Sequence, residues 1–541
     1  TASNNTAAGY YSLANSSTGA DNTAVGAESL EQVTTGNYNT AVGYRAADSV
    51  TTGTYNVAMG RRALDSVTTA SYSVAIGSSA LESNTGANNT AVGHNALTAN
   101  TSGERNVAVG LSAAAANTTG NYNIAIGDRA LDANTTGGGN TAIGASALGA
   151  NTTADGNTAI GDNALLVNTT GSSLVAIGQS ALDANTTATR NVAVGNGAMG
   201  AASTGGSNVG IGTTALSGLT TGTNNVAVGD NAGDALSTGT HCTYLGAAVA
   251  SYSTATGNNN TGVGNSALYG LTTGYNNVAV GYVAGYDATS AYENTLVGND
   301  CGQNITGAYR HVAIGVNALE TATTSNYGVI IGYDAGNDST GSSNTLVGAF
   351  SGDFVSTGAY NTFFGYETGS YSINTTTGDG STIVGAFAHN SSATVDYEGV
   401  FGYNMTGKGT ETFMVRSANG AYNSANSSTW STTSDIRIKK NVIHATLGLD
   451  ALNEIQVRQF EYRENDEIED ELEKDLPTGK VVTGVIAQEI ENVLPETITV
   501  RDNGLLTVKT DAVLWTAVKA IQELSDKVDE LTEKLNNCNC E

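Results

Sequence analysis

Few residues of this chain could do covalent or metal chemistry, and they are unevenly placed. Of the four cysteines, Cys242 and Cys301 stand far apart, while Cys538 and Cys540 sit at the C-terminus. That is too few for a disulfide framework in 541 residues, so Cys242 and Cys301 are expected as unpaired structural thiols. The Cys538-x-Cys540 pair could cross-link chains or hold a metal, but two thiols alone make a weak site. No stretch groups His, Asp and Glu as a hydrolase or metal centre would, and neither a cofactor nor a metal is expected. The densest reactive stretch is Ser434-Asp435-Ile436-Arg437-Ile438-Lys439-Lys440, which sets one hydroxyl, one carboxylate and three cations within seven residues.

The composition of the chain also changes at that stretch. Residues 1–433 carry 9 Lys/Arg and 26 Asp/Glu, while 434–541 carry 12 and 23. Both prolines, Pro477 and Pro495, lie after the divide, so 433 residues run without one, as a chain of hydrogen-bonded parallel strands requires. Glycine (68 residues) does not recur every third position, which excludes collagen. A net charge of −28 argues against nucleic acid or an anionic membrane as partner. No apolar run approaches the roughly 20 residues that span a bilayer, so no membrane insertion is expected. The chain opens at Thr1 in mid-pattern without a methionine or signal peptide, and an upstream part is expected to be missing.

The elements that must carry these residues are dominated by one repeat. A glycine closes a short apolar run 24 times, from Gly9, Gly26 and Gly43 to Gly385 and Gly402, and the spacing is 17 almost everywhere. In a typical unit Asn39-Thr40-Ala41-Val42-Gly43 alternates as a short strand should. Ala and Leu three and four residues past the glycine, as in Ala63-Leu64, are expected in a second strand. Thr-Thr-Gly closes the unit as a turn. Two strands and two turns per unit predict one coil of a β-solenoid over residues 1–402. Stacked about 4.8 Å apart, such coils would make a rod roughly 115 Å long.

The inward residues are small, which bears on assembly. Alanine on the face opposite the Val/Ile row needs a second surface, and three chains around an axis would supply it. At that alanine position the side chain grows from Ala41, Ala142 and Ala279 to Leu296, Ile330, Leu346 and Phe363, so the packed space is expected to widen towards the C-terminal end. The unit before Gly385 is 20 residues long, and its extra residues are expected to bulge as a loop. Tyr38, Tyr55, Tyr72 and Tyr122 stand five residues before the glycine; stacked, they would form a ladder that either rigidifies a turn or holds sugar rings. The Asn-x-Thr triplets are turn chemistry first. Gly210-Ile211-Gly212 has no βαβ context and is no dinucleotide site. The Asn-x-Val-Ala-Ile-Gly character resembles the head repeats of trimeric autotransporter adhesins, whose units are shorter, and repeat arrays of phage tail fibres.

After Gly402 the period fails, and residues 403–433 read as a short β connector. From Ser434 to Glu541 the chain resembles the intramolecular chaperone domain of endosialidases and other phage tail spikes and fibres, peptidase family S74. The resemblance rests on Ser434 to Val442, Leu452 to Tyr462, Gly484-Val485-Ile486-Ala487-Gln488-Glu489-Ile490 with Leu494-Pro495-Glu496, and Asp511 to Leu535. It implies a small α+β domain that trimerises, folds the fibre and releases itself by cutting Thr433–Ser434, with Ser434 as nucleophile and Lys439 as general base. Serine needs a neighbour to accept its proton, and lysine can do so only when burial or a nearby cation lowers its pKa; Arg437, Lys440 and assembly could provide these. The acidic run 464–476 reads as a solvated loop or as a projecting arm of the chaperone. Over 511–535, Leu514, Ile521, Val528 and Leu535 share one heptad position and Ala517, Leu524 and Leu531 the other, predicting a coiled coil.

The expected whole is a mostly β, homotrimeric parallel β-solenoid with a self-cleaving serine endopeptidase and chaperone domain: a structural and host-recognition fibre of a phage tail. It would be assembled in the host cytoplasm and carried on the virion. Its partners would be a cell-surface receptor, glycan or protein, and other tail proteins through the missing N-terminal part. A trimeric bacterial surface adhesin is the alternative, but this chain ends in a polar helix and lacks a membrane-anchoring segment. A polysaccharide-degrading spike would need a catalytic domain between repeat and chaperone, where about 30 residues are too few. An ice- or mineral-binding solenoid would have no use for the chaperone.

Overall fold

The structure is a computed structural model that describes residues 2–369, 377–415, 421–423, 440–463, 479–500 and 506–538. Packing divides the chain into two units, Thr1–Thr433 and Ser434–Glu541.

The first unit is a parallel β-solenoid. Twenty-four three-residue strands, β1 (Thr6–Ala8) to β24 (Gly399–Phe401), pair in register from coil to coil; thus Thr40, Ala41 and Val42 face Val57, Ala58 and Met59. A further parallel strand, β25 (Phe413–Val415), extends the sheet, and β26 (Ala421–Asn423) turns back on it antiparallel. Each strand ends at the period-marking glycine. Gly144 shows why no other residue serves there: its φ is +134°, and a Cβ would lie 2.4 Å from the Gly161 carbonyl oxygen of the next coil.

Three expectations are corrected. The Ala-Leu segment after the glycine is a turn, with alternate residues in the left-handed region: Arg62 at φ 60° and Leu64 at φ 55°. Arg62 N–H donates back to Tyr44 (2.9 Å) and Leu64 N–H donates forward to Ala80 (3.1 Å), so the corner is bonded to both neighbouring coils without being a strand. The position of Leu64 is Leu, Ala, Met or Gly in every coil through Gly369, and this absence of β-branched residues is the mark of a non-strand.

The alanine of each strand points into its own coil instead of towards a partner. In the strands from Thr23–Val25 to Thr382–Val384 the middle residue is buried, while the flanking Thr/Val and Val/Ile are half-buried or exposed. The interior does not widen either. Where the strand residue is large, at Leu296, Ile330, Leu346 and Phe363, the facing corner residue is glycine: Gly302, Gly336, Gly352 and Gly369. A Cβ on Gly302 would meet Leu296 at 2.8 Å, and one on Gly369 would meet Phe363 at 2.5 Å. Volume lost on one wall is filled from the other, as close packing demands. The loop expected before Gly385 falls on residues 370–376, outside the described residues.

Polar groups inside the coils are satisfied by ladders. Asn56 donates both its backbone N–H and Nδ2 to Asn39 Oδ1 (3.1 Å each), and Nδ2 also reaches the Ala70 carbonyl at 2.9 Å. A second ladder climbs from Asn84 to Asn185. It ends where Ala202 replaces asparagine, and Asn185 Oδ1 is buried there without a partner. Threonine hydroxyls form a third row, as in Thr118 Oγ1 to the Thr135 carbonyl at 2.9 Å. Asn134→Ala, in mid-ladder, removes one of the two acceptors of Asn151 Nδ2, which keeps the Ala154 carbonyl, and the donor to Asn117 Oδ1. Each orphaned group costs about 1–3 kcal/mol. The expected outcome is a solenoid weakened by about 2–5 kcal/mol at those coils, read as lost hydrogen-exchange protection over residues 117–151.

Cys242 and Cys301 are buried free thiols, as expected. Burial pushes Cys301 up to about 12, so no thiolate is on offer.

Candidate functional site

The segment that carries the expected chemistry, with Thr433, Ser434, Arg437 and Lys439, lies outside the described residues. Lys440, which follows it, is exposed. The described residues that follow in sequence form a small scaffold. Helix α1 (Leu449–Glu454) packs on α3 (Thr510–Cys538). The Glu523 carboxylate accepts the Leu449 N–H at 2.8 Å, which, with Lys519, holds it below the usual carboxylate range. Strand β27 (Arg458–Phe460) pairs antiparallel with β28 (Val482–Gly484). A bidentate ion pair joins Arg458 to Glu489 on α2 (Ala487–Ile490), at 3.0 and 2.8 Å. Two of the stretches named for the chaperone resemblance, one ending at Tyr462 and one opening at Gly484, are thereby tied together. A short 3-10 turn (Pro495–Thr497) leads into the hairpin β29 (Ile498–Val500) and β30 (Leu506–Val508). The acidic run is outside the described residues from 464 onward, as is Cys540.

Helix α3 has two faces. Thr516 and Ala520 are buried within the unit, whereas the heptad residues Leu514, Ile521, Leu524, Val528, Leu531 and Leu535 are each at least half exposed. Cys538, seven residues after Leu531, continues the same stripe and is an exposed free thiol. Among the described residues of this unit only Ile490, Leu494 and Ala520 are buried apolar side chains, while Val442, Ile443, Val457, Val481 and Val500 are exposed.

The solenoid brings three of the four named tyrosines together. Tyr38, Tyr55 and Tyr72 stack at 4.8 and 5.3 Å with interplanar angles of 12° and 5°. All three stand in the left-handed region, with φ between 57° and 59°. The faces between rungs are taken by the neighbouring ring, which leaves edges, hydroxyls and the two end faces to solvent. Tyr122 stands apart from them; the Arg105 guanidinium lies 5.3 Å from its ring centre and is hydrogen-bonded to its hydroxyl. Three further columns escaped the reading of the sequence because they lie at other coil positions: Tyr252, Tyr269 and Tyr286; Tyr275, Tyr292 and Tyr309; and an edge-to-face series Tyr333, Phe350, Tyr366, Phe387 and Tyr403. A concavity of about 420 Å³ opens at the last coils between Tyr397, Phe401, Glu411 and Phe413. Phe401 belongs to the outward row of its strand, so this hollow borders the exposed strand face.

Among the described residues no three His, Cys, Asp or Glu side chains group to hold a metal ion, and no helix is long and apolar enough to cross a membrane.

Residues 434–499 match the family model described as chaperone of endosialidase, Peptidase S74. No curated protein and no solved structure matches the chain. The fold and the match together define a class: a long parallel β-solenoid of 17-residue coils followed by a chaperone-of-endosialidase domain. That combination fits a protein of the tail-fibre and endosialidase type.

Proposed function

We propose that three copies of this chain form the shaft of a phage tail fibre, that the C-terminal domain folds the trimer, and that it then cuts itself off between Thr433 and Ser434. The observation that carries this reading is the family match at residues 434–499, directly behind the solenoid. In this reading Ser434 Oγ attacks the Thr433 carbonyl carbon as Lys439 takes the hydroxyl proton. The Thr433–Ser434 C–N bond breaks as that proton passes to the leaving Ser434 amine, and water hydrolyses the resulting ester. Arg437 and Lys440 are the cations that would lower the lysine pKa.

Two apolar surfaces support the trimer. The outward Val/Ile row of the strands runs along the solenoid, with Val25, Met59, Ile76, Ile126, Ile177 and Ile211 exposed. A stripe of that length on a folded chain calls for a covering surface. The second is the heptad stripe of α3. Ile or Val at one heptad position with Leu at the other leans towards two strands; three is the number the chaperone family implies. The assembled fibre would stand on the virion, outside the cell, and bind a host receptor, glycan or protein. The tyrosine columns, above all the exposed Tyr38, Tyr55 and Tyr72, are the candidate contacts.

Expression of residues 1–433 without the chaperone tests this reading. The expected outcome is insoluble or unassembled chain, against a soluble oligomer from the whole chain. Equal yields of assembled solenoid from both would remove the chaperone role.

A further inference from the structure

One rung of the inner asparagine ladder is an imidazole. At the position of Asn277 and Asn294 the next coil carries His311, 1% exposed. Its backbone N–H donates to Asn294 Oδ1 at 3.0 Å, so it enters the ladder as any asparagine does. Its ring then copies the amide. Nδ1 accepts the Gly328 N–H at 3.0 Å, where an asparagine would offer Oδ1, and Nε2 lies 2.8 Å from the Ser325 carbonyl, where an asparagine would place Nδ2. The Ser325 hydroxyl also reaches Nε2, at 3.2 Å.

These partners determine the protonation state. A backbone N–H can only donate, so Nδ1 must be bare, and the single proton sits on Nε2 facing a carbonyl. The larger ring is admitted because the next rung is glycine: a Cβ on Gly328 would lie 2.6 Å from Nδ1. A proton added to Nδ1 would point at the Gly328 N–H, donor against donor, on a ring that is almost wholly buried. Asparagine rungs have no such alternative state.

We propose that the rung from His311 to Gly328 is an acid-labile joint in the solenoid, at which the stack opens when the imidazole takes a second proton. Burial holds the His311 pKa below its usual value. The sign follows: the closed rung binds no proton and the opened one does, so the stabilising contribution is complete above the usual histidine pKa of about 6.5 and is lost as pH falls below it. The charged groups on the coils packed against the ring are Asp287, Glu293, Asp300, Arg310 and Glu320. Arg310 and Glu293 pair at 2.6 Å, and none of the five is hydrogen-bonded to the ring. Further along, Asp353, raised to about 6 by burial and by Asp334 and Asp338, titrates in the same range with the opposite sign, since acid favours its folded form.

Hydrogen exchange of the whole chain at pH 7.5 and 5.5, with labelling times scaled for intrinsic exchange, tests the joint. The expected result is more opening over residues 311–329 at pH 5.5, up to about tenfold, with no such change at the Asn123–Asn140 rung of the same molecules. In His311→Asn, which retains Asp353, the difference should vanish. No pH effect confined to 311–329, or an equal effect in His311→Asn, would overturn the proposal. The Asn123–Asn140 rung serves as the internal control should the variant fail to fold.

Discussion

Ser434→Ala is expected to leave every chain at the full 54.6 kDa, while the unaltered chain separates under denaturing conditions into fragments ending at Thr433 and beginning at Ser434. Without the hydroxyl there is no nucleophile to form the intermediate, and loss of such a group in serine enzymes costs on the order of a millionfold in rate. Lys439→Met should act alike, because a serine without a proton acceptor is nearly inert. The bond is cut only if Lys439 is neutral. If assembled copies enclosed Lys439 beside Arg437 and Lys440, burial and like charge would both act to lower its pKa. Cleavage would then report that the trimer has formed. Intact mass of denatured samples is the readout. If the unaltered chain stays whole although assembled, the dyad falls and the fibre reading survives.

Replacing Leu524 and Leu531 together by Asp is expected to abolish assembly of the whole fibre, although both residues lie in the last helix, far in sequence from the solenoid. Both are exposed in the single chain, at 50% and 64%, so the isolated fold loses little. In an assembled coil each leucine would contribute about 1.5–3 kcal/mol of burial. The aspartates would instead place a ring of like charges in the seam, which costs more than the lost burial. Among the described residues of the C-terminal domain only three apolar side chains are buried. The expected readout is at least a tenfold loss of soluble oligomer, with Glu530→Gln on the same helix as a neutral control.

How much of this was legible in the sequence depended on which physical effect left a periodic trace. The period-marking glycine was legible because backbone approaches backbone there, and Gly144 could be nothing else. The strands were legible from Ala142 and its neighbours, since a middle residue alternating with Val/Ile marks a pleat. The side on which Ala142 lies was not, because two-fold alternation names two faces without saying which is inside. The corner at Leu64 was misread because an apolar Ala-Leu pair fits a strand or a turn equally; only the absence of β-branched residues at that position distinguishes them. The exchange of volume between Phe363 and Gly369 needed the two walls of the coil set opposite each other. The ladder asparagines looked like turn formers, and asparagine is indeed common in turns, but Asn39 and Asn134 are buried and bonded from coil to coil. Of the chaperone domain, the ordered series of short motifs was legible, whereas the link between Arg458 and Glu489 spans 31 residues and leaves no local sign.

Three copies of this solenoid are proposed to pack into one shaft, and native mass of the purified chain, measured before any denaturation and beside the Leu524→Asp, Leu531→Asp variant, distinguishes that assembly from a single chain. Three solenoids in one particle, with or without their C-terminal domains, is the predicted result, and the variant should give none. A folded, soluble single chain at 54.6 kDa would contradict the account, since its exposed Val/Ile row and heptad stripe would then have no partner.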